Sequence, residues 1–342
     1  GGGAREIDDP EFETGVERDG GEHMATVARP GDVGEASAGG KSSDASLGVA
    51  REILHHERGV VELAARAVGR GIDPHAGKAQ FRFGELRDGR QGGSLEQEKL
   101  TQEMLLAHDL QMKLLPPAGA LLPDATCAAR VAPAESVGGD FYNLFRLGPG
   151  QVGVMIGDVS SHGYRAALIM ALVMSATAIH ARGSADPAAT FGALLASLAD
   201  ELRETEMFLT VCYAVVDSNA GTITWCNAGH PHAFVVRGDG TSMRLDATDP
   251  PLGLVDDAPH ATSRAWHGDD LLVLFTDGIS DARDPQKKRL GEAPVLEVVK
   301  ARRADAPWRI VDGVFALVEG HMGAVPPRDD QALVVLRMTD DG

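Results

Sequence analysis

Four aspartate positions stand where strands should begin or end, three of them beside glycine. Asp140 lies in Val137-Gly-Gly-Asp-Phe-Tyr-Asn143, and Asp158 in Ile156-Gly-Asp-Val-Ser-Ser-His-Gly163. Asp277 lies in Leu274-Phe-Thr-Asp-Gly278, and the pair Asp329-Asp330 precedes the last apolar run. Glycine lets the backbone turn tightly and lets a ligand approach the chain closely. Carboxylates gathered from strand ends make a hard, oxygen-rich site suited to magnesium or manganese. A single Asp-Gly pair more often marks a turn. The recurrence points to a site, although spacing alone does not show that the four positions meet.

Other nucleophile chemistries fit less well. Ser160 and His162 lie near several aspartates, but no Gly-x-Ser-x-Gly elbow occurs. Cys127, Cys212 and Cys226 sit in apolar, strand-like runs without a phosphate loop carrying arginine, so nothing there favours a thiolate. Cys212 and Cys226 could face each other across a hairpin; two small buried thiols is the favoured reading. A Walker-type nucleotide loop is absent.

The elements that must position these residues are legible from Leu121 onward. Strands are expected over 127–132, 141–147, 152–159, 208–217, 222–227, 233–237, 270–276 and 332–338. Helices are expected over 164–181, 188–205, 293–301 and 308–323. In the run 211–216 apolar residues fill both alternating sets, so that strand should be covered on both faces. Ser218-Asn219-Ala220-Gly221 reads as a hairpin turn. The order is strands, two helices, strands, two helices, one strand. Two packed sheets between helical layers satisfy it, an α+β arrangement.

Upstream, a helix is expected over 95–115, stopped by Pro116 and Pro117. Leu100, Met104, Ala107, Gln111 and Leu114 recur at spacings of 4, 3, 4 and 3, the seam of a short coiled coil. Packing of this helix on its own domain is the equal alternative. Residues 1–93 read as largely disordered, rich in Gly, Asp, Glu and Ser, with one thin helical stripe at 46–70. The expected organisation is therefore 1–93, a linker helix at 94–116, and a domain at 117–340.

The charge balance narrows the partners. The 342 residues carry 50 acids against 32 bases, a formal charge of −18. Such a surface disfavours nucleic acid and anionic membranes. An acidic chain that handles phosphate must offset repulsion, and bound cations are one way. No apolar run has the length of a membrane span. Three scattered cysteines and no signal-peptide pattern suggest a reducing cytoplasm.

The ordered blocks carry a resemblance. Gly138-Gly-Asp-Phe-Tyr-Asn143, Gly157-Asp-Val-Ser-Ser-His-Gly163 with Ala166-Ala-Leu168, Phe208-Leu-Thr210, Asn227-Ala-Gly-His-Pro231, Pro251-Leu-Gly253, Thr276-Asp-Gly278 and Asp329-Asp330 follow one another in this order. Over roughly 95–338 the chain resembles the PPM metal-dependent serine/threonine phosphatases of the bacterial RsbU/SpoIIE-type subgroup. The resemblance implies a β-sandwich flanked by helices on both sides, αββα, with two Mn²⁺ or Mg²⁺ ions at one end. Asp158 would bridge the ions and the Val159 carbonyl would add a ligand. Asp277 and Asp329 would complete one site, and Asp140 would serve the other or hold a metal-bound water. Paired ions lower the pKa of a shared water and brace an in-line displacement at phosphorus.

Around this set, Thr210 and Asn227 are expected to orient ligands, with Asp330 beside them. His162 and His230 have two readings, phosphate contact or proton donation against a structural role, and the structural one is favoured. The chain departs from the subgroup in three places. Ser161 stands where glycine is usual, and Gln331-Ala332 stands where Ile-Thr is usual. Glu135 lies where many PPM members supply a phosphate-binding arginine. The implied partner is a phosphorylated STAS-domain protein in a partner-switching pathway that controls a sigma factor. An upstream activator protein and a homodimer through the linker helix are further expectations. The alternative is a catalytically slow module that regulates a partner by occupancy.

Overall fold

The computed structural model describes residues 92–339 apart from 118, 162, 182–183 and 256, with side chains from Lys99 onward. The expectations for the N-terminal region up to residue 91 lie outside these residues. Helix α1 (Gly92–Leu114) leads into β1 (Ala125–Ala132), β2 (Phe141–Gly148) and β3 (Gln151–Val159). Two helices follow, α2 (Tyr164–His180) and α3 (Pro187–Thr205). Next come β4 (Leu209–Asp217), β5 (Thr222–Ala228), β6 (His232–Val236), β7 (Ser242–Arg244), β8 (Thr262–Ala265) and β9 (Leu271–Phe275). The short α4 (Asp277–Ser280), then α5 (Glu292–Ala301), α6 (Pro307–Met322) and β10 (Gln331–Met338) complete the chain.

The strands form two antiparallel five-stranded sheets, β1-β10-β9-β6-β7 and β2-β3-β4-β5-β8. Between them lies a core from alternate residues of each strand: Val154 and Ile156 of β3, Cys212 and Ala214 of β4, Leu272 and Leu274 of β9, Val334 and Leu336 of β10. The opposite faces are covered as well. Met155, Val211 and Tyr213 pack under Met170 of α2 and Phe191 and Leu194 of α3. Val273, Phe275 and Val335 pack under Val295 of α5 and Val314 and Phe315 of α6. This is the expected four-layer αββα arrangement. The double apolar pattern of β3, β4, β9 and β10 is its cause, because each strand faces both a helix layer and the other sheet.

The eight expected strands and the downstream helices are present within one or two residues at each end. Proline explains two helix starts: Pro187 and Pro307 occupy the first helical turn, where a missing N–H costs nothing. The reading did not contain β7, β8 or α4. The two strands are three- and four-residue edge strands with half-exposed or exposed residues, and α4 is a single turn.

Two expectations resolve between their alternatives, and Cys212 and Cys226 are the two small buried thiols of the favoured one. Cys226 pairs with Tyr213 across the β4–β5 hairpin, while Cys212 pairs with Asn227. Cys212 faces the inter-sheet core and Cys226 faces the helices, and both thiols are free. The α1 seam from Met104 onward turns inward, while Leu100 at its start is exposed. Met104, Ala107 and Leu114 are half-buried and Gln111 is 5% exposed, whereas Leu105, Leu106 and Leu110 face solvent. The helix thus packs on its own domain, as the equal alternative held. Among the described residues no helix is long and apolar enough to cross a membrane.

Candidate functional site

Antiparallel pairing brings the aspartate positions together at one end of the sandwich. Phe141 at the start of β2 pairs with Gly157 near the end of β3, so Asp140 and Asp158 share that end of one sheet. Phe275 at the end of β9 pairs with Leu333 near the start of β10, so Asp277 and the Asp329-Asp330 pair share the same end of the other. A glycine follows from the closeness at each side. A Cβ on Gly139 would lie 2.8 Å from the Val159 carbonyl oxygen and 3.2 Å from Asp158 Oδ1. A Cβ on Gly278 would lie 1.9 Å from the Asp330 carbonyl oxygen. Neither approach leaves room for a side chain.

Hydrogen bonds stitch the two sheets across this end. Thr276 Oγ1 donates to Asp140 Oδ2 at 2.7 Å and accepts from the Ala332 N–H at 2.8 Å. Asp330 turns toward the segment before β2: its Oδ2 accepts from the Gly139 N–H at 2.7 Å and its Oδ1 from the Ala134 N–H at 2.8 Å. Asp330 is therefore committed to backbone, while Asp329 beside it is exposed, and its Oδ1 accepts from the Asp330 N–H at 3.0 Å.

The electrostatics of this end are those of crowded carboxylates. Burial, then the charges of Asp158 and Asp330, raise the Asp140 carboxyl well above the usual carboxylate range, against the Thr276 bond that lowers it. Burial, then repulsion from Asp329, Asp277 and Asp330, raises Asp158. Each cause acting on Asp158 disfavours its charge. The groups are all oxygen donors, the chemistry that magnesium and manganese prefer. A divalent cation among them would remove the repulsion that raises Asp140 and Asp158. Among the described residues no three His, Cys, Asp or Glu side chains close on a single point. The carboxylates are neighbours, and coordination would need some of them to rotate.

The remaining expected residues divide. Thr210 Oγ1 donates to the Asp158 main-chain carbonyl at 3.5 Å, at the long limit of a hydrogen bond. Asn227 is 1% exposed and holds its own turn: Oδ1 accepts from the His230 N–H at 2.7 Å, and Nδ2 donates to the His230 and Leu245 carbonyls at 3.0 and 2.8 Å. It touches none of the aspartates in these bonds, so it shapes the chain rather than orienting a carboxylate. His230 is 2% exposed, with Nε2 3.1 Å from the Phe275 carbonyl. Burial lowers its pKa to about 3. It is neutral and donates to that carbonyl, which matches the structural reading. His162 lies outside the described residues.

Two residues of the site escaped the sequence reading. Thr276 stood inside the Leu274–Gly278 block but was not assigned a role. Gln111 stands in the expected coiled-coil seam with no role of its own. Its Nε2 donates to the Gly138 carbonyl at 2.5 Å, and its Oε1 accepts from the Gly138 N–H at 3.1 Å. The same Nε2 lies 3.8 Å from Met170 Sδ of α2. A polar residue at a buried position of an apolar stripe was the available signal. Ser161 has φ of +82°, so the loop after Asp158 keeps the left-handed conformation that glycine would adopt freely.

Comparison with known proteins agrees with this geometry. Residues 148–339 match the family described as Stage II sporulation protein E (SpoIIE). Protein IcfG of Synechocystis is 28% identical over 232 residues, covering 60% of this chain and 36% of IcfG. The chain thus spans about a third of the length of that relative. Phosphoserine phosphatase RsbU of Bacillus subtilis is 26% identical over 247 residues, covering 70% of this chain and 71% of RsbU. The structure of the SiaA-PP2C domain of Pseudomonas aeruginosa superposes with a TM-score of 0.64 at 20% identity, covering 71% of this chain and 99% of that one. The chain belongs to the SpoIIE family, and its two sheets and helical layers are a PP2C-type phosphatase fold.

Proposed function

We propose that this chain is a metal-dependent protein phosphatase that removes phosphate from phosphoserine or phosphothreonine on a protein partner. The observation that carries the reading is the gathering of Asp140, Asp158, Asp277 and Asp329 from both sheets, with Asp140 and Asp158 electrostatically unsatisfied. Two manganese or magnesium ions would be held by Asp158, Asp277 and Asp329 on one side and by Asp158 and Asp140 on the other, with the Val159 carbonyl as a further donor. Such ions lower the pKa of water and neutralise charge on a phosphoryl group.

The chain's own residues supply position. Thr276 fixes the Asp140 carboxylate by accepting an N–H and donating its hydroxyl. Asp330 fixes the backbone on which Asp140 is mounted. Gln111 fixes the same segment from α1. The site is acidic and shallow at Asp329, so a folded phosphoprotein has access. The family points to a phosphorylated STAS-domain protein as that partner, within a partner-switching pathway. The linker helix α1 is the surface through which an upstream activator would act, because it touches both the Asp140 segment and α2. Its exposed Leu105, Leu106 and Leu110 offer a homodimer contact.

The test is turnover of a phosphoserine STAS protein by the purified chain with manganese, magnesium or chelator. Metal-dependent release of phosphate, abolished by chelator, supports the reading. Tight binding without turnover would instead support a module that acts by occupancy.

A further inference from the structure

Resting on the phosphatase reading, we infer that a cavity beside Asp329 is a docking subsite for an acidic side chain of the substrate that flanks the phosphorylated serine. The cavity has a volume of about 150 Å³. Met322, Val325 and Pro326 form an apolar part of its wall, and Arg283 and Arg328 line it as well. Gly278 and Asp329 line it too, so it opens directly beside two of the four aspartate positions.

The charges decide what the cavity takes. Asp281 also lines it, but its carboxylate is paired with Arg289 at 3.2 Å. Asp329 is expected to serve a cation. Arg283 is half-buried and donates to the Lys287 carbonyl at 3.0 Å, which fixes it in the loop. Arg328 is exposed. Lys287 and Lys288 extend this cationic stretch on a chain whose net charge is −18. On a net acidic chain, a local group of basic side chains favours where an acidic substrate lands. Guanidinium groups hold carboxylates through paired N–H bonds, and the apolar wall covers the methylenes of a glutamate.

Reach supports the same occupant. Extended chain advances roughly 3.3 Å per residue. A phosphoserine placed at the aspartates therefore puts its near neighbours within one or two residues of the cavity.

The experiment uses the full chain with manganese and three probes: p-nitrophenyl phosphate, a phosphoserine peptide flanked by glutamates, and the same peptide flanked by glutamines. The unmodified chain should favour the glutamate peptide by tenfold or more in kcat/KM, mainly through KM. Arg328→Glu, at an exposed position, and the double variant Arg283→Ala/Arg328→Ala should each cut the ratio of glutamate-peptide to p-nitrophenyl phosphate efficiency at least tenfold. Equal efficiency on the two peptides, or a preference that survives both variants, overturns the subsite. An equal loss on p-nitrophenyl phosphate also overturns it, because the arginines would then serve the phosphate itself. Failure of the unmodified chain to hydrolyse any probe would sink the phosphatase reading and the subsite with it.

Discussion

Replacing Gln111 with leucine tests how far the linker helix controls the site. The two side chains are similar in size, so the change mainly removes the two hydrogen bonds to Gly138. The Gly138 N–H and carbonyl are buried and would lose their partners. Leaving a buried polar group unsatisfied costs about 1–3 kcal/mol, so two groups cost roughly 2–6 kcal/mol before relaxation. That is a large share of a domain stability of about 5–15 kcal/mol. Some of the cost will be relieved by movement of the 137–140 segment, and that movement displaces Asp140. If about 1.4 kcal/mol reaches the carboxylate site, cation affinity falls tenfold. Denaturant unfolding gives the stability term, and the manganese concentration for half-maximal activity gives the site term. Gln111→Glu is the informative companion: it keeps an acceptor for the Gly138 N–H but sets a carboxylate against the Gly138 carbonyl. Unfolding within 0.5 kcal/mol of the unmodified chain for Gln111→Leu, together with an unchanged manganese requirement, would refute the pinning argument.

Four further outcomes follow from the same geometry. Asp158→Asn should lower metal-dependent turnover by several orders of magnitude while circular dichroism shows the fold intact, and near-normal turnover would remove Asp158 from the bridging role. Gly278→Ala should destabilise the domain or lower its activity, since the new Cβ would sit 1.9 Å from the Asp330 carbonyl oxygen; a thermal midpoint and activity equal to the unmodified chain would contradict that packing. Ser161→Gly should stabilise by about 1 kcal/mol, because serine at φ +82° holds a strained conformation, and a loss of stability would count against it. Asp140 and Asp158 have pKa values raised by burial and mutual repulsion, so their contribution to stability is full below the unfolded carboxylate value of about 3.9 and is lost as pH rises through the folded values. Without metal, the pair should make the chain less stable at pH 8 than at pH 5. Added manganese should stabilise more at pH 8, and Asp158→Asn should flatten the slope. A larger manganese effect at pH 5 would reverse the sign and refute the assignment.

The sequence disclosed the layers because burial on both faces leaves a mark in every residue of a strand, as in Val211–Val216 of β4. It disclosed the aspartates because each sits beside a glycine or another acid at a strand end. Edge strands β7 and β8 carried no such mark, being short and partly exposed. The bonds that assemble the site were also silent. Thr276 meets Asp140 across 136 residues of chain, and Asp330 meets Gly139 across 191. No local pattern encodes a contact at that separation. Asp330 and Asn227 show the reverse limit: their motifs were legible, but an acid buried against backbone and an exposed acid look alike in sequence. Only the direction in which each side chain turns separates Asp330 from Asp329.

That distinction carries a physical consequence. Asp140 and Asp158 belong to one sheet, and Asp277 and Asp329 leave the other. A cation shared among them must therefore span both sheets, and its affinity depends on how the sheets are set against each other. The segment 137–140 is held from three directions: by Asp330 from the β10 side, by Thr276 through Asp140, and by Gln111 from α1. The first two tethers come from the sheet opposite Asp140, and the third comes from a helix outside both. A pull on α1 is thus applied where the two halves of the carboxylate set are joined. The Asp140 carboxylate can then shift without disturbing the apolar core between the sheets, which has no comparable freedom because it is close-packed. On the proposed reading, a control point on polar tethers at the rim, rather than in that core, would let a helix of modest contact area change cation affinity while the fold stays intact.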